Sequence, residues 1–188
     1  MQRRVGLIAV LVLLILSLSI GCGQIEEPVP TSVPEPKDAE AYFDRGNVYY
    51  EQGSLDQAIA DYDRAIELNP AYVLAFTNRG LALADKGKHE QAIADFDRVI
   101  ELNPAAAGAY FYRGNSYAAL GEYGQAIDDY NEAIELVPEV ADNFLRRGLA
   151  YGNLGEYEAA IEDYDRAIEL YPEYAFAYLM RGATYADI

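Results

Sequence analysis

Pairs of aspartates are the residues of this 188-residue chain whose type and spacing could do chemistry. They recur along the chain as Asp61 and Asp63, Asp95 and Asp97, Asp128 and Asp129, and Asp163 and Asp165. Two carboxylates can share acid–base work or bind a calcium ion. Residues two apart on a helix point to different faces, however, and a pair that returns in every repeated segment is not a single site. The sequence favours a solvated helix face, or ion pairs with arginines that recur at the same interval.

The single histidine is the other candidate for catalysis. His89 occupies a position where the matching segments have Leu55, Tyr123 and Tyr157, so we interpret it as a packing residue. The sequence contains no glycine-rich phosphate loop and no Cys/His cluster with the spacing of metal ligands. It therefore predicts no catalytic residue, no metal and no cofactor, and the chain is not expected to be an enzyme.

The single cysteine ends a segment typical of export signals. Residues 1–22 read MQRRVGLIAVLVLLILSLSIGC, in which two arginines precede an apolar run and a small residue. That order is the layout of a secretory signal peptide. The end of the run also resembles a bacterial lipoprotein signal, which implies that Cys22 carries a lipid. Ser19 stands where such signals most often have leucine.

An uncleaved membrane-spanning helix is the alternative interpretation of residues 1–22. The uncharged run from Val5 to Ile20 is shorter than the about 20 residues that a bilayer core needs. In either case we expect an exported protein anchored on the periplasmic or cell-surface side of a membrane, the cytoplasmic or the outer one. Residues 23–38 contain four prolines and no apolar periodicity, which predicts an extended linker.

The charge balance limits the partners. The chain has 14 basic and 31 acidic residues, a net charge of −17, and all the acids follow Cys22. Such a body repels phosphate backbones and anionic lipid headgroups. We expect no nucleic acid partner, and contact with the membrane only through the N-terminal lipid or helix.

A period of 34 residues organises the rest of the chain. Glycines, prolines and arginines recur at this interval: Gly46, Gly80, Gly114, Gly148 and Gly182; Gly53, Gly87, Gly121 and Gly155; Pro70, Pro104, Pro138 and Pro172; Arg45, Arg79, Arg113, Arg147 and Arg181. The period defines four complete units, 39–72, 73–106, 107–140 and 141–174, and a partial unit, 175–188. Apolar residues at helical spacing predict two amphipathic helices in each complete unit. A glycine such as Gly53 would end the first helix in a left-handed conformation, and a proline such as Pro70 would end the second.

These units resemble the tetratricopeptide repeat (TPR). The shared pattern is a small residue at position 8, aromatic residues at positions 11 and 24, alanine at positions 20 and 27, and proline at position 32. The departures are Tyr or Phe at position 4, where the family often has Trp, and Leu83 at position 11 of the second unit. The resemblance implies an all-α fold, a right-handed α-solenoid with four full repeats and one extra helix.

The resemblance also implies a concave groove lined by the first helix of each repeat. Positions 2, 5, 9, 12 and 13 give the predicted groove residues Glu40, Phe43, Asn47, Tyr50, Glu51, Leu74, Thr77, Leu81, Asp85, Phe111, Asn115, Asp142, Leu145, Leu149 and Asn153. Aromatic and amide side chains on such a surface suit capture of a protein or peptide segment. Acids at one end of the groove favour a ligand with basic or apolar character.

One known use of such grooves can be tested on these residues. Repeats that bind the C-terminal carboxylate of cytosolic chaperones need basic residues, but Phe43, Gly108 and Tyr112 occupy those positions here. A carboxylate would have no counter-charge, so that function is not expected. The sequence instead predicts a docking scaffold. The alternative is a self-assembling spacer, a homo-oligomer formed through the apolar C-terminal helix that contains Phe176 and Leu179.

Overall fold

A computed structural model describes residues 36–187, and the regular structure within this range is helical. The helices are α1 (Ala39–Glu51), α2 (Leu55–Leu68), α3 (Val73–Asp85), α4 (His89–Leu102), α5 (Ala107–Ala119), α6 (Tyr123–Leu136), α7 (Ala141–Leu154), α8 (Tyr157–Leu170) and α9 (Ala175–Asp187). Each helix packs on the one before and the one after it, and α1, α3, α5, α7 and α9 also contact each other in order. This is a solenoid of helix pairs, so the predicted fold class is confirmed.

The helix ends follow from local chemistry. Asp38 is the N-cap of α1, and its carboxylate accepts a hydrogen bond from the backbone N–H of Ala41 at 2.9 Å. The turn between the helices of each pair contains a glycine with a positive φ, and the four values lie between +72° and +80°. Glycine adopts this left-handed conformation without the steric cost of a Cβ atom. The short turns hold the two helices of a pair antiparallel.

The core of each pair is a contact between a glycine and an aromatic ring. Gly46, Gly80, Gly114 and Gly148 are buried against Tyr62, Phe96, Tyr130 and Tyr164 respectively. A Cβ atom built on any of the four glycines would lie within 2.9 Å of a ring carbon. The rings themselves are 0–1% exposed. The predicted role of position 8 in close helix contact is confirmed.

Arginines join each pair to the one before it. Arg79 donates from Nε and Nη2 to Asp95 in its own repeat, at 2.8 and 2.5 Å, and from Nη1 to Asp63 in the preceding repeat, at 2.6 Å. Arg113 does the same with Asp129 and Asp97. We call this series of bridges the arginine ladder. Its other members are Arg45 with Asp61, Arg147 with Asp163 and Asn131, and Arg181 with Asp165.

The ladder corrects one of the sequence interpretations. One acid of each pair, Asp61, Asp95, Asp129 or Asp163, is only 3–5% exposed, so these four do not belong to a solvated face. The ion-pair interpretation holds for them and for the half-exposed Asp63, Asp97 and Asp165. Asp128 is exposed, and Asn131 takes the corresponding place beside Arg147. Each arginine also lies over an aromatic ring of its own helix, as Arg79 does over Phe76 at 5.5 Å, which shields the bridge from water on one side.

Breaking one bridge of the ladder should destabilise the fold strongly. Arg113→Met leaves the Asp129 carboxylate buried without its counter-charge, and we expect the free energy of unfolding to fall by about 3 kcal/mol. The matched control is Arg98→Met, since within residues 36–187 Arg98 pairs with Glu101 alone, on an exposed helix surface. That change should cost at most about 0.5 kcal/mol. Urea unfolding followed by circular dichroism measures both; equal losses in the two variants would contradict a structural role for the ladder.

The glycine–ring contact predicts opposite effects of alanine on stability at two equivalent positions, Gly114 and Gly182. In Gly114→Ala the new Cβ would lie 2.9 Å from Cε1 of Tyr130 and 3.2 Å from Cβ of Asp129, so we expect a loss of about 1–3 kcal/mol. In Gly182→Ala the new Cβ meets nothing within 4 Å. There we expect a gain of about 1 kcal/mol from helix propensity. Thermal unfolding should shift in opposite directions, and a shift in the same direction would refute the packing argument.

Candidate protein-binding groove

The first helices of the pairs form one face of the solenoid, which we call the groove. Four depressions lie on it, with volumes of about 290, 340, 230 and 170 Å³. Neighbouring depressions adjoin through shared residues: Tyr112 and Asn115 belong to two each, as do Leu149 and Asn153. They therefore follow one another from α3 to α9 as a continuous surface.

The depressions are lined by part of the predicted set. Those predicted residues are Leu81, Asp85, Phe111, Asn115, Asp142, Leu149 and Asn153. Glu40, Glu51 and Leu74 are exposed but line none of the four depressions. Phe43, Asn47, Tyr50 and Thr77 are half-buried and lie outside them as well. The predicted residues that line the four depressions thus come from the second, third and fourth units, and none comes from the first.

Leu145 was predicted as a groove residue, and this prediction is wrong. Its side chain is 2% exposed and belongs to a core cluster with Phe144 and Tyr164. Other position-5 residues also pack within their own repeat: the ring of Phe43 lies 5.0 Å from that of Tyr72, and Phe111 lies 6.1 Å from Tyr130. Position 5 therefore contributes to packing inside the repeat, even where it also lines a depression, as Phe111 does.

Two asparagines present amide donors on this face. Oδ1 of Asn47 accepts hydrogen bonds from the Tyr62 hydroxyl at 2.9 Å and from Nδ2 of Asn78 at 2.8 Å. Oδ1 of Asn115 accepts one from the Tyr130 hydroxyl at 2.9 Å. Within residues 36–187, neither Asn47 Nδ2 nor Asn115 Nδ2 donates to a protein acceptor. Each asparagine is thus oriented by its oxygen and offers its N–H donors to a ligand carbonyl.

Position 9 alternates between amide and apolar side chains along the groove. Its residues are Asn47, Leu81, Asn115 and Leu149, one from each complete repeat. Leu81 and Leu149 line depressions on either side of Asn115. An extended polypeptide suits this row, because its backbone carbonyls can accept hydrogen bonds from the amides and its side chains can contact the leucines.

Two aspartates of the groove each accept a hydrogen bond from a tyrosine. Asp85 lies at the α3 end, where its carboxylate accepts a hydrogen bond from the Tyr50 hydroxyl of the preceding repeat at 2.6 Å. Burial and this hydrogen bond raise the pKa of Tyr50 to about 12, so the phenol stays a donor even at alkaline pH. Tyr174 donates to Asp142 at 2.6 Å, and the same causes raise its pKa to about 12.

Arg146 is a groove residue that sequence reasoning missed. It lines the depression that contains Asn115, Leu149 and Asn153, and its side chain is 48% exposed. Its Nε lies 3.8 Å from the Asp142 carboxylate, a loose pair that leaves donors for a ligand. Position 6 could have been found from the sequence, because it lies one helical turn from the predicted positions 2 and 9.

His89 is the residue that the sequence assigns to packing. His89 is half-buried and lines a depression, and its Nδ1 is buried without a hydrogen-bond partner in the described part of the chain.

Among the described side chains, no three of His, Cys, Asp or Glu come together as a metal site. None of the helices within residues 36–187 has the length and apolar composition that a bilayer crossing requires. The predicted signal segment and Cys22 lie outside the described residues.

Comparisons with known proteins agree with this geometry. Models of the tetratricopeptide repeat match residues 77–141 and 141–174, and a TPR repeat model matches residues 46–87. No match was found among curated protein sequences.

Solved structures are similar over most of the helical region. A crystal structure of MamA protein is 30% identical over 79% of this chain and 81% of its own, with a TM-score of 0.75. MamA from Desulfovibrio magneticus RS-1 shares the fold at 22% identity, covering 81% and 86%, with a TM-score of 0.77. The first TPR of Spaghetti, bound to the HSP90 peptide SRMEEVD, is 28% identical over 63% and 94%, with a TM-score of 0.61. The chain belongs to the tetratricopeptide repeat family.

Proposed function

We propose that this protein is a non-enzymatic scaffold that binds an extended segment of another protein in the groove. The observation that carries the proposal is the position-9 row, in which oriented amide donors alternate with leucines. The amides of Asn47 and Asn115 would bind backbone carbonyls of the segment, and the depressions beside Leu81 and Leu149 would take its apolar side chains.

The charges on this face favour a ligand with basic residues among apolar ones. Asp85 and the exposed Glu51 lie at the N-terminal end of the groove and would attract a cationic side chain. The acidic peptide SRMEEVD, bound in the TPR structure of Spaghetti, has the opposite character. Phe43, Gly108 and Tyr112 offer such a peptide no cation, and Arg146 near the other end is already close to Asp142.

The N-terminal sequence supports an exported and anchored scaffold. The order of basic, apolar and small residues before Cys22 suits a lipid anchor, and an uncleaved helix is the alternative. Either anchor would hold the repeats on the outer side of the cytoplasmic membrane or at the outer membrane, where they would serve envelope assembly. A self-assembling spacer is the second candidate, favoured by the exposed apolar residues of α9.

Groove binding can be tested with two fluorescent peptides of equal length, one built from lysine and leucine and one from glutamate and leucine. We expect the basic peptide to bind more tightly because of the acids at the N-terminal end. Asn115→Ala and Leu149→Ala should each weaken its binding by about tenfold, the loss of one well-placed contact. Fluorescence anisotropy measures the affinity.

The matched controls lie on second helices, away from the groove. Gln91→Ala removes an exposed amide from α4, and Leu68→Ala removes a half-exposed leucine from α2. Neither should change the affinity. Equal loss in the control and groove variants, or tighter binding of the acidic peptide, would refute the groove proposal.

The anchor has its own test in a bacterial host that processes lipoproteins. The wild-type protein should incorporate labelled palmitate and stay in the membrane fraction, and Cys22→Ser should abolish the incorporation, because serine cannot form the thioether to the lipid. Ser19→Leu, which restores the more usual residue three positions before the cysteine, should keep both. Wild-type protein that stays in the membrane fraction without incorporating palmitate would contradict the lipid and support the uncleaved helix.

A further inference from the structure

The third repeat leaves the aromatic ring at position 5 open to the groove. Phe111 lines a depression of about 340 Å³, the largest of the four. Val137 and Val140 line it as well, and each of these valines is 41% exposed. A concave site with a ring and aliphatic side chains on its walls is suited to an apolar side chain of a ligand.

A tyrosine at position 34 covers position 5 in two other repeats. In the first repeat the ring of Tyr72 packs on Phe43, with 5.0 Å between the centroids. In the fourth repeat Tyr174 packs against the core cluster that contains Leu145, and Leu145 is only 2% exposed. The third repeat has the shorter Val140 at position 34, so its position-5 ring remains accessible.

The backbone at Val140 follows the course of the backbone at Tyr72. Both residues are the N-cap of the following helix, with φ and ψ of −96° and 104° at Val140 and of −80° and 84° at Tyr72. Their side chains therefore leave the backbone in similar directions. The depression between Phe111 and Val140 thus corresponds to the space that the Tyr72 ring fills in the first repeat.

Position 2 of the third and fourth repeats also shapes this depression. The third repeat has Gly108 there, and an added Cβ would meet Cε2 of Tyr112 at an ordinary contact distance of 3.8 Å. The fourth repeat has Asp142, which lines the same depression and accepts a hydrogen bond from the Tyr174 hydroxyl at 2.6 Å. Because a carboxylate accepts several hydrogen bonds, Asp142 can accept one from a second hydroxyl.

We infer that this depression binds an aromatic side chain, tyrosine in preference, of the protein segment that the groove holds. The ring would pack on Phe111 and the two valines, as the ring of Tyr72 packs on Phe43, and the hydroxyl would donate to Asp142. The inference rests on the proposed function and deepens it, because it names the residue type that would anchor the segment.

The composition and charge of the chain favour a ring from another protein. Residues 1–38 contain no Phe, Tyr or Trp, so that part of the chain has no ring to offer. A second copy would bring exposed rings such as Tyr171, but two chains that each carry a net charge of −17 repel one another. A basic segment that carries a tyrosine would instead be attracted.

The depression can be tested without a peptide, with phenol as a free copy of the tyrosine ring and hydroxyl. Titrated into the full-length protein, phenol should shift the methyl NMR signals of Val137 and Val140 until the shift saturates. Cyclohexanol keeps the hydroxyl but has no aromatic ring to pack on Phe111. It should bind about fivefold more weakly.

Variants that fill the depression identify the site. Val140→Tyr supplies the ring from the chain itself, and Gly108→Leu fills the space from α5; each should abolish the shift at Val137. The matched control is Val48→Tyr, because Val48 is 49% exposed on α1 and lines none of the four depressions. It should bind phenol as the wild-type protein does. Circular dichroism checks that all three variants are folded.

Peptides then connect the depression with the groove. Replacing the leucines of the lysine–leucine peptide by tyrosine, one at a time, should give at least one peptide that binds about tenfold more tightly. Val140→Tyr should remove this gain, and Val48→Tyr should keep it. Binding of phenol but of none of the peptides would refute the groove and leave the aromatic site standing. Binding of the peptides but not of phenol would refute the aromatic site and leave the groove standing.

Three further outcomes would overturn the inference. One is a phenol shift that both Val140→Tyr and Gly108→Leu leave intact. Another is a set of tyrosine peptides that bind, but no more tightly than the lysine–leucine peptide. The third is self-association of the protein, seen by sedimentation, that Val140→Tyr abolishes, since this would assign the ring to a second copy.

Discussion

The arginine ladder is the interaction on which the rest of the structure depends. One guanidinium reaches a buried carboxylate in its own repeat and a half-exposed one in the repeat before, so it fixes both the packing within a pair and the step to the next pair. A buried charge tolerates little displacement, because its desolvation is offset only at short hydrogen-bond distances. The ladder therefore holds each pair in a set position on the pair before it.

The fold could be predicted almost completely from the sequence, and the reason is repetition. A glycine or a proline at one position is a weak signal, but the same residue in four or five units in phase leaves one architecture. The aspartates were harder to interpret because spacing along one helix shows which face a residue lies on, but not what a neighbouring helix brings to that face. Asp61 and Asp95 are buried only because Arg45 and Arg79 reach them from a neighbouring helix.

The groove could be predicted less well, for a related reason. Position 5 was assigned to the groove as a class, but Leu145 is covered by its own repeat and the next, a packing contact that a family pattern does not resolve. Arg146 was missed because it lies at position 6, which is not among the family's groove positions although it is one helical turn from positions 2 and 9. Of the position-9 residues that the family resemblance implies, Leu81, Asn115 and Leu149 line the depressions, whereas Asn47 lies outside them.

The ladder and the groove are linked through the same helices. Each first helix carries an arginine at position 7 and an amide or leucine at position 9, so the two side chains leave neighbouring turns on different faces. Because the ladder fixes how far each repeat is rotated against the last, it also fixes the spacing of the position-9 row before any ligand arrives. A row held in this way loses little entropy on binding, which favours recognition of a segment with matching spacing.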